Sequence, residues 1–547
     1  MIHHVPCVFR RLTRPASGHI HSVMPGSSEE LLAFAALQRG LAPMFNRVFS
    51  NPRAPRTVVV IPSMSLDHDE LAKLTGALHY EERFLCLLML LRLPATRVVY
   101  ITSEPVSQGV VEYYLRFLTD VPRRDALSRL TMLDCGDGTA APLTEKILAR
   151  PELVARIRSL IDDPASAHLT CFTATALERT LAVRLGIPLY GCDPALNYLG
   201  TKSGSRVVFH RAGVRTPPGY EHLHSDEDVV HALAQLKRAH PSLRQAVIKL
   251  EEGFSGEGNA MFSYDGAPVR GLSPWIRDVL PSRVRFVAAG ETWETYRDEF
   301  SRMGGIVEAF VAGADVRSPS VQCRIDPSGA TQIISTHDQV LGGSSGQVYL
   351  GCTFPAHSSC CPGLHDAARR VTQVLASEGV VGRFGIDFIS TRTQERWMHH
   401  AIEINLRKGG TTHPFLTLQL LTDGRYDTDT GLFYSRCGRT CYYVASDNLC
   451  DPAYTALTPD VVIAAAARAR LEYDNVAERG VVFHLMGALP DFGKLGAVCI
   501  APTRDEAGAL FAETEALLRR EAMPNVTVAF ARRQSGIELL TCGLAEG

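Results

Sequence analysis

The sequence predicts an α/β unit followed by α+β units. Three observations carry that reading. β-branched runs alternate with helical stretches in the first part of the chain. Two apolar carboxylate-bearing runs separated by a polar linker come later. Strand runs with an alanine-rich helix return near the C-terminus.

In order, residues 1–28 contain no Asp or Glu but include Arg10, Arg11 and Arg14. That composition can be read as a transit peptide. It has no apolar core of a secretory signal, and the expectation is a partly disordered leader, 1–54, with a mildly amphipathic helix at 29–39. Residues 56–61, 97–102, 130–133 and 168–172 read as strands. Residues 78–91, 113–118 and 176–185 read as helices. Strand and helix alternating in this way make a parallel sheet over 55–199. A dinucleotide-binding oxidoreductase domain competes with this reading, but Pro62-Ser63-Met64-Ser65 stands where a G-x-G-x-x-G would follow the first strand. After Phe415, runs 441–445, 481–485 and 495–500 read as strands, with helix 459–471 between the first two. Thr503-x-x-Glu506 opens a helix whose Ala507, Leu510, Phe511, Leu517 and Leu518 share a face. This end, 425–547, reads as a small α+β domain.

Composition narrows the class. The chain has 547 residues, 46% hydrophobic and 21% charged, with a net charge of −2. Three or four domains are expected. The charge balance gives no reason for nucleic acid or an anionic membrane as partner. The apolar run 84–91, flanked by Arg83 and Arg92, is too short to span a bilayer. Fourteen cysteines without a disulfide-like frame suit a reducing cytoplasm. Cys437-x₃-Cys441 has no second half to make a zinc site.

Chemistry gathers in four segments. In GRFGIDFIS (382–390) Asp387 interrupts an apolar run, and in AIEINL (401–406) Glu403 and Asn405 alternate with Ile402, Ile404 and Leu406. On a strand, Glu403 and Asn405 share one face. If the two runs form a hairpin, Asp387 lies beside them. Two carboxylates and an amide oxygen suit Mg²⁺. The bland alternative is a solvated strand face. The sequel Arg407-Lys408-Gly409-Gly410-Thr411-Thr412 supplies donors for anions. In VIKLEEGFSGEGNAMF (247–262), Lys249 ends a strand before a loop holding Gly253, Ser255, Gly256 and Gly258. The lysine precedes the glycines, so this is not a P-loop. A third segment starts a helix near Lys202, which Gly213 stops. In the fourth, Glu308 closes a strand and Asp315 precedes another, a hinge able to edge a nucleotide.

Taken in order, Lys202, Lys249 before a glycine-rich loop, Glu308, Asp387 and Glu403-x-Asn405-x-Arg407 resemble the ATP-grasp superfamily over residues 200–415. Four longer segments, 79–94, 186–206, 336–356 and 403–415, resemble the ATP-grasp peptide ligases of pheganomycin biosynthesis and their relatives. The resemblance implies a Rossmann-like domain before an ATP-grasp core at 200–424 with a lid subdomain. It implies ATP phosphates on Lys202 and Lys249, adenine at Glu308, Phe310 and Val311, and ribose at Asp315. Mg²⁺ would sit on Asp387, Glu403 and Asn405. Arg407 would face the transferring phosphate or a substrate carboxylate. The implied reaction joins a carboxylic acid to an amino acid or peptide amine through an acyl phosphate.

His337, Asp338 and Gln339 are candidates for substrate contact or for deprotonating the amine, with a structural turn as the alternative. Lys408, Gly409 and Thr411 are further substrate candidates. An acid–thiol ligase or phosphotransferase, and a nucleotide-binding regulator without turnover, are the competing functions. A homodimer is one expectation.

Overall fold

The computed structural model describes the backbone of residues 23–541 except 67, 254–257, 289, 343–345, 347 and 395. The first 22 residues of the expected leader, 1–54, lie outside the described residues. The chain first forms helices Ser28–Arg39, capped by Ser27, and Leu41–Val48.

Strands β1 (Arg56–Ile61), β2 (Thr96–Thr102), β3 (Leu130–Asp134) and β4 (Ala167–Cys171) make a parallel sheet in the order β3-β2-β1-β4. Every residue of β1 is buried, as a parallel strand covered on both faces requires. Helix Ala176–Leu185 starts at a Thr175 capping box and ends on Gly186, whose φ of 71° only glycine adopts readily. The stretch expected as a helix at 78–91 is a 3₁₀ helix, Ala77–Arg92, with Glu81, Glu82 and Arg83 buried along with its apolar residues. It has no solvent face because helix Thr412–Thr422 packs against it.

A second, antiparallel sheet forms the lid. It consists of β5 (Gly219–Leu223), β6 (Gln245–Leu250), β7 (Asn259–Ser263), β8 (Val284–Phe286) and β9 (Gly305–Ala309), in the order β5-β9-β6-β7-β8. Its own apolar core includes Ile248, Phe262, Ile276 and Phe300.

The third sheet has nine strands. It begins with β10 (Val316–Arg317), β11 (Pro319–Ile325), β12 (Thr331–Gly342) and β13 (Val348–Phe354). The carboxylate hairpin β14 (Gly382–Thr393) and β15 (Arg396–Asn405) follows. The polar linker expected at 390–398 is mostly strand: β14 runs to Thr393 and β15 starts at Arg396, with Gln394 at φ 57° after β14. A two-stranded hairpin, β16 (Arg425–Asp427) and β17 (Leu432–Tyr434), leads to β18 (Tyr442–Cys450), β19 (Gly480–His484) and β20 (Lys494–Ala501). Along the large sheet the order is β10-β14-β11-β12-β13-β18-β20-β19, with β15 on β14. The C-terminal unit is thus α+β, and its three strands extend the same sheet through the β13–β18 pairing. Thr503 and Glu506 cap the last helix, Arg504–Thr541, and Ala507, Leu510, Leu517 and Leu518 are buried. Among the described residues no helix is long and apolar enough to cross a membrane.

Candidate active site

The β14–β15 register sets Asp387 directly opposite Glu403 and Gly385 opposite Asn405. The period-two alternation then puts all three polar side chains on one face and Ile404 in the core. The Asn405 amide donates to Asp387 Oδ2 at 3.0 Å and to Glu403 Oε1 at 3.2 Å. Lys202, at the first turn of helix Lys202–Arg211, donates to Glu403 Oε2. The two carboxylates separate in acidity. Burial and the neighbouring Glu403 charge push Asp387 up to about 7. Burial also pushes on Glu403, but Lys202, then Lys249, outweigh it and hold Glu403 down at about 2. A buried carboxyl pair whose members are pushed apart in acidity marks a candidate functional site.

The lid contributes from across the cleft. Lys249 on β6 is buried and ion-paired with Glu308 Oε1 on β9 at 2.6 Å. Arg206 reaches the other Glu308 oxygen at 3.3 Å. Glu308 therefore orients Lys249 and has both oxygens engaged by cations. The Phe310 N–H donates to the Gln245 carbonyl at 3.1 Å. Asp315 accepts at its backbone carbonyl from the Arg392 N–H at 3.0 Å and does not line the cleft.

The cleft between the lid, the large sheet and the N-terminal unit holds a cavity of about 900 Å³, at the upper end for ligand sites. Its walls bring together Lys202, Lys249, Gly253, Gly258, Glu308, Phe310 and Val311 with Asp387, Glu403, Asn405 and Arg407. Ser255 and Gly256 lie outside the described residues. Of the substrate candidates, Asp338, Gln339, Gly409 and Thr411 line the cavity. Gln339 accepts from the Ser318 hydroxyl at 2.9 Å, and Asp338 accepts from the Arg317 guanidinium at 3.3 Å.

Two candidates sit elsewhere. His337 is fully buried behind the wall, 2.7 Å from the Tyr443 hydroxyl and packed on Phe354, and burial pushes it down to about 3. Lys408 turns away, to the Thr170 hydroxyl at 3.2 Å and the Cys171 carbonyl, fastening the loop after β15 to β4. Arg407, its neighbour, stays on the cavity side.

At the other end of the cavity lie Tyr80, which the sequence leaves open between surface and site, and residues that sequence reasoning missed: Arg83, Tyr349, Asp447 and Lys494. Asp447 is buried and accepts from Arg83, from His484 Nε2 at 2.7 Å and from His413 Nε2 at 3.1 Å. Burial alone would raise its pKa, but Arg83 and the two histidines hold it well below the carboxylate range. The cluster joins the N-terminal 3₁₀ helix, the helix after β15 and the C-terminal strands. The only sequence signal was the charged triplet Glu81-Glu82-Arg83 (after Tyr80) inside an apolar run.

Two donor sets could hold a cation. The Asp387–Glu403–Asn405 set is all oxygen once the Asn405 amide turns to present Oδ1, and its unbalanced negative charge fits Mg²⁺. His413, Asp447 and His484 also converge, their ligand atoms within 4.8 Å of one another, but Arg83 already offsets that carboxylate.

Comparison with known proteins places this geometry. The family model described as "IQCH-like, ATP-grasp" matches residues 194–266 and 275–429, and "PGM1 C-terminal domain" matches 461–512. Over 444 residues, 80% of this chain and 89% of the relative, the sequence is 33% identical to L-propargylglycine–L-glutamate ligase of Streptantibioticus cattleyicolor. The chain belongs to the ATP-grasp ligase family. IQ motif-containing protein H of Danio rerio is 26% identical over 382 residues, which cover 62% of this ATP-grasp ligase but 36% of that protein. A biotin carboxylase–beta-gamma-ATP complex from Campylobacter jejuni shares the fold, with a TM-score of 0.50 at 13% identity over 84% of this chain and 90% of that one. This ATP-grasp protein is a ligase that forms carbon–nitrogen bonds.

Proposed function

We propose that this ligase uses ATP and Mg²⁺ to activate a carboxylic acid as an acyl phosphate and transfers the acyl group to the amine of an amino acid or peptide, releasing ADP and phosphate. The observation that carries the reading is the Asp387–Glu403 pair facing Lys202 and Lys249 in one cavity walled by two sheets. The relative named for joining L-propargylglycine and L-glutamate supports amino acids as the substrate class.

The chemistry follows from the residue types. Lys202 and Lys249 contact the phosphates and draw off charge as the γ-phosphoryl group moves. Asp387, Glu403 and Asn405 would hold the Mg²⁺, which offsets phosphate charge when bound. A substrate carboxylate oxygen bonds to the γ-phosphorus as the bond to ADP breaks. Arg407, on the same wall, orients that carboxylate. The amine nitrogen then bonds to the acyl carbon, phosphate leaves, and the surplus amine proton passes to a base. Asp338 is one base on the wall within this chemistry. The lid excludes water, which would otherwise hydrolyse the activated acid.

The test is product analysis. ADP and phosphate should form in step with amide, and hydroxylamine should trap the activated acid as a hydroxamate. AMP and pyrophosphate as products would overturn the acyl-phosphate route.

A further inference from the structure

Lys494 is a buried cation on the cavity wall that has no anionic partner among the described residues. It opens β20 and is 7% exposed. Its ammonium donates to the Tyr80 hydroxyl at 2.8 Å and stands 4.9 Å from the centre of the Tyr80 ring. Arg83 stacks on the same ring at 4.0 Å. The two cations differ in one respect. Arg83 is matched by Asp447, whereas among the described residues no carboxylate comes within ion-pairing distance, 4.0 Å, of Lys494. An ammonium withdrawn from water without a counter-charge is unfavourable by several kcal/mol in general. Such a group is accounted for when a ligand supplies the charge.

The chemistry of the site narrows the ligand. The Tyr80 oxygen accepts from Lys494, so its own proton is free to donate. Ammonium and phenol together offer two donors, one for each oxygen of a carboxylate. The ATP phosphates have their lysines at the other end of the cavity, on Lys202 and Lys249. Between β14, which bears Asp387, and β20 lie five strand-to-strand steps, through β11, β12, β13 and β18, or roughly 24 Å followed along the sheet. Both ends open into the same cavity.

We infer that Lys494 and Tyr80 form a subsite for the non-reacting carboxylate of an amino-acid or peptide substrate, an inference that rests on the ligase reading. Tyr80 comes from the N-terminal unit and Lys494 from the C-terminal one, so the subsite is complete only when both units flank the core. Arg83, through Asp447, is held in place beside the ring.

The experiment uses the full-length chain with ATP and Mg²⁺. The twenty L-amino acids and their glycine-extended dipeptides are screened, alone and in pairs, for ADP release. The best substrate is then compared with its C-terminal carboxamide. Lys494→Met should raise the KM of the free acid about tenfold or more, the scale of a lost hydrogen bond to a charged group, and leave that of the carboxamide unchanged. Lys494→Arg should recover part of the loss, and Tyr80→Phe should give a smaller rise for the acid alone. Unchanged thermal melting shows that the variants fold. Should Lys494→Met melt early, Tyr80→Phe decides the matter, compared on acid and carboxamide in the same way. Equal changes for acid and carboxamide, or none for either, would overturn the subsite while leaving the ligase intact. No ADP release with any acid or pair would instead strike the ligase reading and the subsite with it.

Discussion

The cavity has a buried carboxylate at each end, and the two are treated in opposite ways. At one end Asp387 faces Glu403 and is pushed up to about 7 by burial and its neighbour's charge. At the other, Asp447 is met by Arg83, His413 and His484 and is held far below the ordinary range. On the proposed reading the first end is completed by Mg²⁺. At the second, Asp447 is satisfied by the chain itself, although Lys494 beside it is not. The difference separates function from architecture: an unsatisfied group marks where a ligand belongs, and a satisfied one marks where the fold is tied together.

That contrast can be broken first at Asp447. Asp447→Ala leaves Arg83 buried without a partner, and losing one member of a buried pair typically costs about 3–5 kcal/mol of stability. Urea unfolding should show it as a lower midpoint. A variant as stable as the parent would mean that this end is not structural. Glu403→Gln should do the reverse. Its unfolding should shift little, while turnover falls by the equivalent of about 2.7–4 kcal/mol of transition-state stabilisation. Steady-state ADP release at limiting Mg²⁺ reads it, and near-normal rates would remove Glu403 from the reacting site.

Acidification tests the satisfied end more gently. Burial holds His413 at about 4 and His337 at about 3, below the ordinary imidazole value of about 6.5. The unfolded chain therefore takes up protons first. Stability should decline as the pH falls from about 6.5 towards 4, with a further decline at lower pH as Asp447 is protonated. A flat unfolding free energy between pH 7 and 4 would contradict the buried neutral histidines. The smallest effect is expected for His337→Phe. Behind the wall it should change kcat by less than about tenfold, equivalent to under 1.4 kcal/mol of barrier. A larger loss, without loss of fold, would return His337 to the amine.

The incomplete end was far more legible in the sequence than the satisfied one. Asp387, Glu403 and Asn405 lie within 19 residues, and their alternation with isoleucine fixes which face they share. Lys202 stood at a helix start, where a cation opposes the dipole and so calls for a reason. At the other end Arg83, His413, Asp447 and Lys494 are spread across the chain. Each sits in a run that reads as an ordinary strand or helix, and only tertiary packing assembles them. The large sheet escaped notice for the same reason. The strands of 441–500 were recognisable, but nothing local says that β18 pairs with β13 rather than founding a sheet of its own. Lys408 shows the limit at a single residue. Basic and beside glycines, it resembled an anion ligand, yet after β15 ends at Asn405 the backbone turns and sends Arg407 and Lys408 to different sides.

The shared sheet has one more consequence. Because β14 and β20 belong to one hydrogen-bonded layer, Asp387 and Lys494 stand on one continuous sheet, while β5 to β9 form a separate one. The distance between the two ends is therefore set by the strands between them and not by the second sheet. On the proposed ligase reading, strand spacing works as a ruler that gauges a substrate by its reach from one end to the other.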